Sequence, residues 1–199
     1  MIAAMKHCSS CGEHNEVRVP EGEDRERHVC SACGTIHYRN PKMVVGCIVQ
    51  DGGRVLLCRR AIEPRRGFWT IPAGFMELGE SATAGAARET LEEALARVQI
   101  VAPYAHFDIP HIGQAYLIYR AQLLAGEFGP GPESLEVQLL EPDAIPWQQL
   151  AFTAVRYALE LFVEDLQNQR FRHHTGMVVR KDGRFALEDH VGLPIGNAE

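Results

Sequence analysis

The chain lacks an apolar run long enough to cross a bilayer. The longest, Met43 to Val49, has seven residues, against the roughly 20 that a membrane helix needs. It also lacks a surplus of positive charge: 20 Lys+Arg stand against 26 Asp+Glu, a formal −6. A binder of duplex nucleic acid presents a basic face, so this balance argues against nucleic acid as a partner. No low-complexity or collagen-like tract interrupts the sequence. Apolar residues at 46% and charged residues at 23% exclude a disordered chain. The stretch before Cys8 is too short for a signal peptide, so the expectation is a cytoplasmic protein with reduced cysteines. A length of 199 residues suits one domain, or one domain with a small module.

Cysteine is present with a pattern. Four of the six form two Cys-x-x-Cys pairs, Cys8/Cys11 and Cys30/Cys33, with 18 residues between the pairs. That spacing suits a four-cysteine zinc site. Gly12 and Gly34 follow the pairs and tolerate the positive φ of a turn whose N–H groups face the sulfurs. The polar segment from Glu13 to His28 cannot build a core unaided, so zinc is the expected staple; the rival reading is a redox dithiol, which normally uses one such pair rather than two. Four thiolates leave no open coordination position, which makes the zinc structural rather than catalytic. Cys47 and Cys58 lie in apolar strand-like runs and read as buried packing residues.

The texture changes after residue 40. Met43 to Val49 reads as a buried strand, Asp51-Gly52-Gly53 as a hairpin turn and Val55 to Cys58 as the returning strand. Phe68 to Ile71 is a short apolar stretch that ends at Pro72. Ser81 to Leu95 is rich in alanine and glutamate and has Ser81 to cap it, so it reads as a helix. Val98–Ile109, Gln114–Leu124 and Ser134–Leu140 read as strands. Ala151–Gln169 reads as a second helix, with apolar residues at helical spacing. The organisation is therefore α+β: a ribbon at 1–40, a domain at 41–168 and an extension at 169–199. In the extension, Met177–Val179 and Phe185–Leu187 flank Arg180–Arg184 as a hairpin. An added edge hairpin at a homodimer contact is one reading of it, and a flap over the substrate the other.

Glu89, Glu92 and Glu93 stand at i, i+3 and i+4 of the first helix, three carboxylates on one face with β-carbons about 5–6 Å apart. Arg88, one residue from Glu89, is expected to point elsewhere. Like charges this close gain nothing without a cation above them, and Mg²⁺ takes carboxylate oxygens while keeping positions for phosphate and water.

The upstream spacing sharpens this reading. Gly74, Glu80 and Arg88-Glu89-Thr90-Leu91-Glu92-Glu93 form a Gly-x5-Glu-x7-Arg-Glu-x-x-Glu-Glu pattern that resembles the Nudix hydrolase box. Leu95-Ala96 stand where the box has glycine and an aliphatic residue, so Leu95 either carries a steric cost in a left-handed helix end or the helix ends differently. A zinc ribbon before such a domain is similar to bacterial NADH pyrophosphatases, and closer to the zinc-ribbon group that includes FAD and ADP-ribose pyrophosphatases. The resemblance implies an α/β/α sandwich around a mixed sheet. It also implies Mg²⁺ or Mn²⁺ held by Glu89, Glu92, Glu93 and the carbonyl of Ala73 or Gly74, with Arg88 and Glu80 orienting the carboxylates. A further glutamate beyond the helix is expected at Glu133, with Glu136 as second choice, and Glu93 or Glu133 as the base that takes the proton of the attacking water.

Substrate choice is less marked. The Ser-Gln-Pro-Trp-Pro-Phe-Pro stretch of NADH-type enzymes has no match in Pro103 to Gln114, which weighs against strict NADH specificity. Tyr104, Phe107 and Tyr116 are candidates to stack on a ring of the substrate, and Arg59 and Arg60 to bind phosphate. His106 and His111 read as surface or turn histidines, or else as ligand contacts. The reaction implied is metal-dependent hydrolysis of a nucleoside diphosphate linked to another moiety. The alternatives are action on NADH or NAD-capped RNA, and a sensor that binds a nucleotide without cleaving it.

Overall fold

The computed structural model describes residues 5–194. The chain divides into two compact units, Met1–Pro41 and Lys42–Glu199. The smaller holds an antiparallel sheet of β1 (Asn15–Arg18), β2 (Arg27–Cys30) and β3 (Ile36–His37) in sequence order. Its buried apolar residues among those described are Cys8, Pro20, Val29 and Cys30.

The larger unit is built from β4 (Lys42–Asp51), β5 (Arg54–Arg60), β6 (Trp69–Thr70), β7 (Ala73–Phe75), α1 (Ala82–Ala94), β8 (Val98–Ile109), β9 (Gln114–Leu123), β10 (Ser134–Leu140), α2 (Thr153–Gln167), β11 (Arg172–Lys181) and β12 (Arg184–Pro194). The strands form one mixed nine-stranded sheet in the order β10-β5-β4-β9-β8-β11-β12, with β6 paired to β5 and β7 to β4. β4 runs parallel to β9 and β8 to β11; the other pairs are antiparallel. Residues alternate between the faces of a strand, and β4 shows this directly. Val45, Cys47 and Val49 belong to the cluster under α1, whereas Val44 and Ile48 join Leu159 and Phe162 of α2 on the other face. Both faces are covered by a helix, so β4 is apolar on both sides. The fold is an α/β/α sandwich. Among the described residues no helix is long and apolar enough to cross a membrane.

α1 lies close to the sheet because Gly85, Ala86 and Ala94 face inward. Ser81 caps it, its side chain accepting from the Ala84 N–H at 3.2 Å. The helix ends at Leu95 with φ 50 and ψ 21, so leucine takes the left-handed conformation that glycine adopts without strain.

The extension belongs to the main sheet. β11 lies parallel beside β8, and β12 folds back through Asp182-Gly183, both at positive φ as a two-residue hairpin turn requires. A polar network ties it to α2. The Asp165 carboxylate accepts from the Arg172 backbone N–H at 2.9 Å, from the Arg172 guanidinium at 2.8 Å and from His174 Nε2 at 2.9 Å. Asp165 and His174 are fully buried. Burial raises the Asp165 pKa, but His174 and Arg172 outweigh it and hold the carboxyl below its ordinary value. Burial lowers the His174 pKa more than Asp165 raises it, so its net shift is downward.

These shifts predict acid sensitivity. The unfolded chain takes up a proton at histidine near pH 6.5 that folded His174 resists, so stability falls as pH drops through that value. Asp165 adds a second loss at lower pH, since its stabilisation is present above the ordinary aspartate range and vanishes as pH falls through the depressed value. The urea-midpoint difference between the wild type and His174→Gln, measured from pH 8 to 4, should fall from about pH 6.5 downward, a comparison in which the contributions of the other titrating groups cancel.

Candidate active site

A cavity of about 960 Å³ opens where α1, the ends of β4, β5 and β9, and the loops around Glu63, Glu133 and Phe152 meet. α1 delivers Arg88, Glu89, Glu92 and Glu93, β7 delivers Ala73 and Gly74, and β5 delivers Arg60. Glu93 forms part of the floor and is 5% exposed. Burial is the main reason its pKa is pushed up to about 7, with Glu89 and Glu133 adding repulsion against the Ala73 N–H and Arg60. That N–H donates to Glu93 at 3.1 Å. Burial likewise raises Glu89.

Arg88 corrects one expectation. It does not point away from the carboxylates but reaches three of them. Nη2 donates to Glu80 at 2.9 Å, and Nη1 donates to Glu89 at 2.8 Å and to Glu92 at 3.0 Å. Sequence adjacency misleads because the long arginine stem carries the guanidinium back over the helix surface. Hydrogen bonds from Arg88 and, second, from the Glu77 backbone N–H at 2.8 Å hold Glu80 down at about 2. Glu80 thus fixes the arginine, and the arginine fixes Glu89 and Glu92.

The donor set fits a hard divalent cation: three carboxylates and the backbone carbonyls of Ala73 and Gly74, all oxygen ligands, lining one cleft. Gly74 makes room for the Glu89 carboxylate, which a Cβ at that position would overlap.

A further brace was not foreseen. Gly131 N–H donates to the Glu93 carbonyl at 3.0 Å, and Gly129 N–H to the Ala94 carbonyl at 2.8 Å. The loop caps the open carbonyls of the last turn of α1. Two residues later, the Glu133 carbonyl accepts from the Ala61 N–H at 2.8 Å, so Glu133 is held between α1 and β5 and lines the cavity. The Gly129-Pro130-Gly131 run was the available signal. A Cβ at Gly131 would overlap the Glu92 carbonyl oxygen, and the obstacle is backbone. Gly131→Ala should therefore cost about 2–4 kcal/mol of stability, measured by denaturant unfolding. It should lower activity beyond what the unfolded fraction explains, because Glu133 moves with the loop.

Other expectations separate. Tyr116 and Arg60 line the cavity, Arg60 with its guanidinium 5.0 Å from the Phe152 ring. Tyr104 and Phe107 do not line it. Both are fully buried in the core under α2, and the Tyr104 hydroxyl donates to Asp165 at 3.4 Å. Arg59 faces the other side of β5 from Arg60, donates to the Gly67 carbonyl and pairs with Glu136 at 3.6 Å. Glu136 is consequently a strand-surface partner of Arg59 and Gln138 rather than part of the cleft. His106 lies 3.6 Å from Asp108 on β8, and His111 packs on Phe185; neither lines the cavity. Among the described residues, none of the lining comes from 169–194; β11 and β12 of the extension lie at the edge of the main sheet. Phe152 and Gln114 line the cavity without any marking pattern in the sequence.

A second centre lies in the smaller unit. The sulfurs of Cys8, Cys11, Cys30 and Cys33 all lie within 4.8 Å of one another, with Cys8–Cys33 at 3.8 Å, Cys11–Cys30 at 3.4 Å and Cys11–Cys33 at 3.5 Å. Four sulfurs about 2.3 Å from a tetrahedral zinc stand about 3.8 Å apart, so the cluster fits zinc. Ser10 N–H donates to Cys8 at 3.3 Å and Cys33 N–H to Cys30 at 3.4 Å. His37, not anticipated, places Nε2 3.3 Å from the Cys8 sulfur. Although burial opposes it, the Ser10 and Cys11 N–H groups and His37 draw the Cys8 thiol down to about 5.

The NUDIX domain model matches residues 40–161. This chain belongs to the Nudix family. The Nudix N-terminal zinc-ribbon model matches residues 6–39 ahead of it. A solved NUDIX hydrolase from Nitrosomonas europaea is 49% identical, with a TM-score of 0.85 over 87% of this chain and 99% of that one. The NAD-capped RNA hydrolase NudC of Stutzerimonas stutzeri is 30% identical over 81% of this Nudix chain and 57% of its own length. The chain thus spans little more than half of that relative. An ADP-ribose pyrophosphatase of Methanocaldococcus jannaschii is 26% identical over 58% of this chain and 69% of its own.

Proposed function

We propose that this Nudix protein hydrolyses a nucleoside diphosphate linked to another moiety, such as ADP-ribose or FAD, releasing a nucleoside monophosphate and a phosphorylated remainder. One observation carries the reading: a single cleft gathers Glu89, Glu92, Glu93 and Glu133 opposite Arg60. Among the described residues, the Arg60 side chain donates from Nε to the Pro64 carbonyl at 3.0 Å. Its Nη groups are left to meet a phosphate oxygen.

Glu89, Glu92, Glu93 and the Ala73 or Gly74 carbonyl would hold Mg²⁺ or Mn²⁺, which supplies charge neutralisation across the diphosphate and an acidified water. The chain's own residues do the rest. Arg88, fixed by Glu80, keeps Glu89 and Glu92 in place. Gly74 leaves open the space the Glu89 carboxylate occupies. Glu93 on the floor, or Glu133 on the brace, takes the proton from the water that attacks phosphorus. Arg60 orients the diphosphate, and Tyr116 with Phe152 offers aromatic surface to a ring of the substrate. The zinc of the ribbon serves structure. A cytoplasmic location suits six cysteines without a disulfide, four of which would ligate zinc.

The test is a panel of ADP-ribose, FAD, NADH, diadenosine polyphosphates and deoxynucleoside triphosphates with Mg²⁺ or Mn²⁺, with products separated by chromatography. A nucleoside monophosphate from at least one linked diphosphate is expected. No turnover, or release of orthophosphate alone, would overturn the proposal. NADH tests the NAD-linked reading suggested by the relatives' names.

A further inference from the structure

Two apolar walls of different origin bound the cleft. Tyr116 and Phe152 pack with the core on the α2 side of the sheet. Leu91 of α1 and Leu95 at its C-cap stand on the other side and are 45% and 51% exposed. At about 100° per residue along a helix, Glu92 falls between the leucine pair and the Glu89–Glu93 stripe. A substrate whose diphosphate lies over the carboxylates, and which runs on past Glu92, meets the leucines.

Leu95 stands out between the two. It holds a left-handed backbone, φ 50 and ψ 21, that strains any residue with a side chain and suits glycine. Its exposure shows that core packing does not compensate for the strain. Backbone strain of this kind collects at functional positions, and here the strained residue places an apolar side chain on the rim of the substrate cavity.

We infer that Leu95 is a specificity-determining residue, whose side chain holds the half of the substrate beyond the diphosphate by apolar contact with a flat ring. The inference rests on the hydrolase reading above and adds which substrates the rim favours: those with a second ring system over those ending in a bare sugar.

The experiment compares Leu95→Gly and Leu95→Met with the wild type. Steady-state kinetics with Mg²⁺ use FAD and ADP-ribose. Equilibrium binding of FAD and NADH is followed by their fluorescence in EDTA, where nothing turns over. Leu95→Gly should lower the FAD to ADP-ribose ratio of kcat/KM by about tenfold, through KM, the scale of one or two methylenes in an apolar pocket. It should weaken FAD or NADH binding by a similar factor, and Leu95→Met should restore both. A ratio that does not move, or a methionine variant that behaves as glycine does, would refute the inference. So would a wild type that binds neither FAD nor NADH. If the wild type cleaves nothing but Leu95→Gly still weakens binding, the hydrolase reading fails and the rim assignment stands.

Discussion

Glu93→Gln should lower kcat on the preferred linked diphosphate by about 10³-fold while leaving the protein folded. The substitution keeps shape and length, so the amide oxygen can still accept from the Ala73 N–H that meets the carboxylate at 3.1 Å. What disappears is the negative charge on the cavity floor, and with it a cation ligand and a proton acceptor. Stability should change the other way. Glu93 is 5% exposed and its pKa is raised to about 7. A carboxyl that holds its proton longer when folded favours folding at low pH and opposes it as pH rises through the folded value. In metal-free buffer at pH 8, Glu93→Gln should therefore be more stable than the wild type, by roughly 2 kcal/mol. Thermal scans at pH 5 and pH 8 check this. Equal stabilities at pH 8 would show that Glu93 is not under the strain of burial, and retained activity would remove it from the chemistry.

Stripping zinc should unfold residues 6–39 outright. Two strands of four residues and one of two surround a core whose large apolar contribution is Val29. One buried valine contributes about 1.5–3 kcal/mol, and ordering each residue costs about 1.5 kcal/mol, so the unit cannot stand without its staple. Structural zinc contributes about 10–16 kcal/mol in small ligand sets of this kind. Chelation, or Cys30→Ser, should release about one equivalent of zinc and collapse the ribbon's amide signals in ¹H–¹⁵N spectra, while signals of the nine-stranded sheet persist. A ribbon that keeps its dispersion without metal would show that zinc is not its staple.

Much of this was legible from residue spacing, and what was not has physical reasons. The Ser81 cap and the alanine density of α1 are local properties, and the helix runs from Ala82 to Ala94. The strands Val98–Ile109 and Ser134–Leu140 begin and end where alternation and proline place them. Faces are harder. β8 carries irregularities between Ile100 and Ala102 and between Pro103 and Ala105. Each shifts the side-chain parity, so Tyr104 and Phe107 fall into the core with no mark in the sequence. Arg59 and Arg60 necessarily face opposite sides of β5, but composition does not say which side holds the site. Sequence resemblance ranks Glu133 ahead of Glu136, but what holds Glu133 at the cleft, the contact of Gly131 with the end of α1, is a tertiary fact. Leu95 was recognised as a departure, and the structure shows that it adopts the strained conformation rather than ending the helix otherwise.

The brace between Gly129 and Glu133 also governs how the chain tolerates length changes. Residues 124–128 are exposed and lie outside regular structure, so a tag or a few inserted residues there would be absorbed by the loop. One residue inserted between Gly131 and Glu133 lengthens the tether by up to about 3.5 Å, enough to displace the Glu133 carboxylate from its place on the cavity lining. Two adjoining segments of one loop thus differ sharply in engineering latitude, the first free to host a fusion or a dye and the second fixed to the residue.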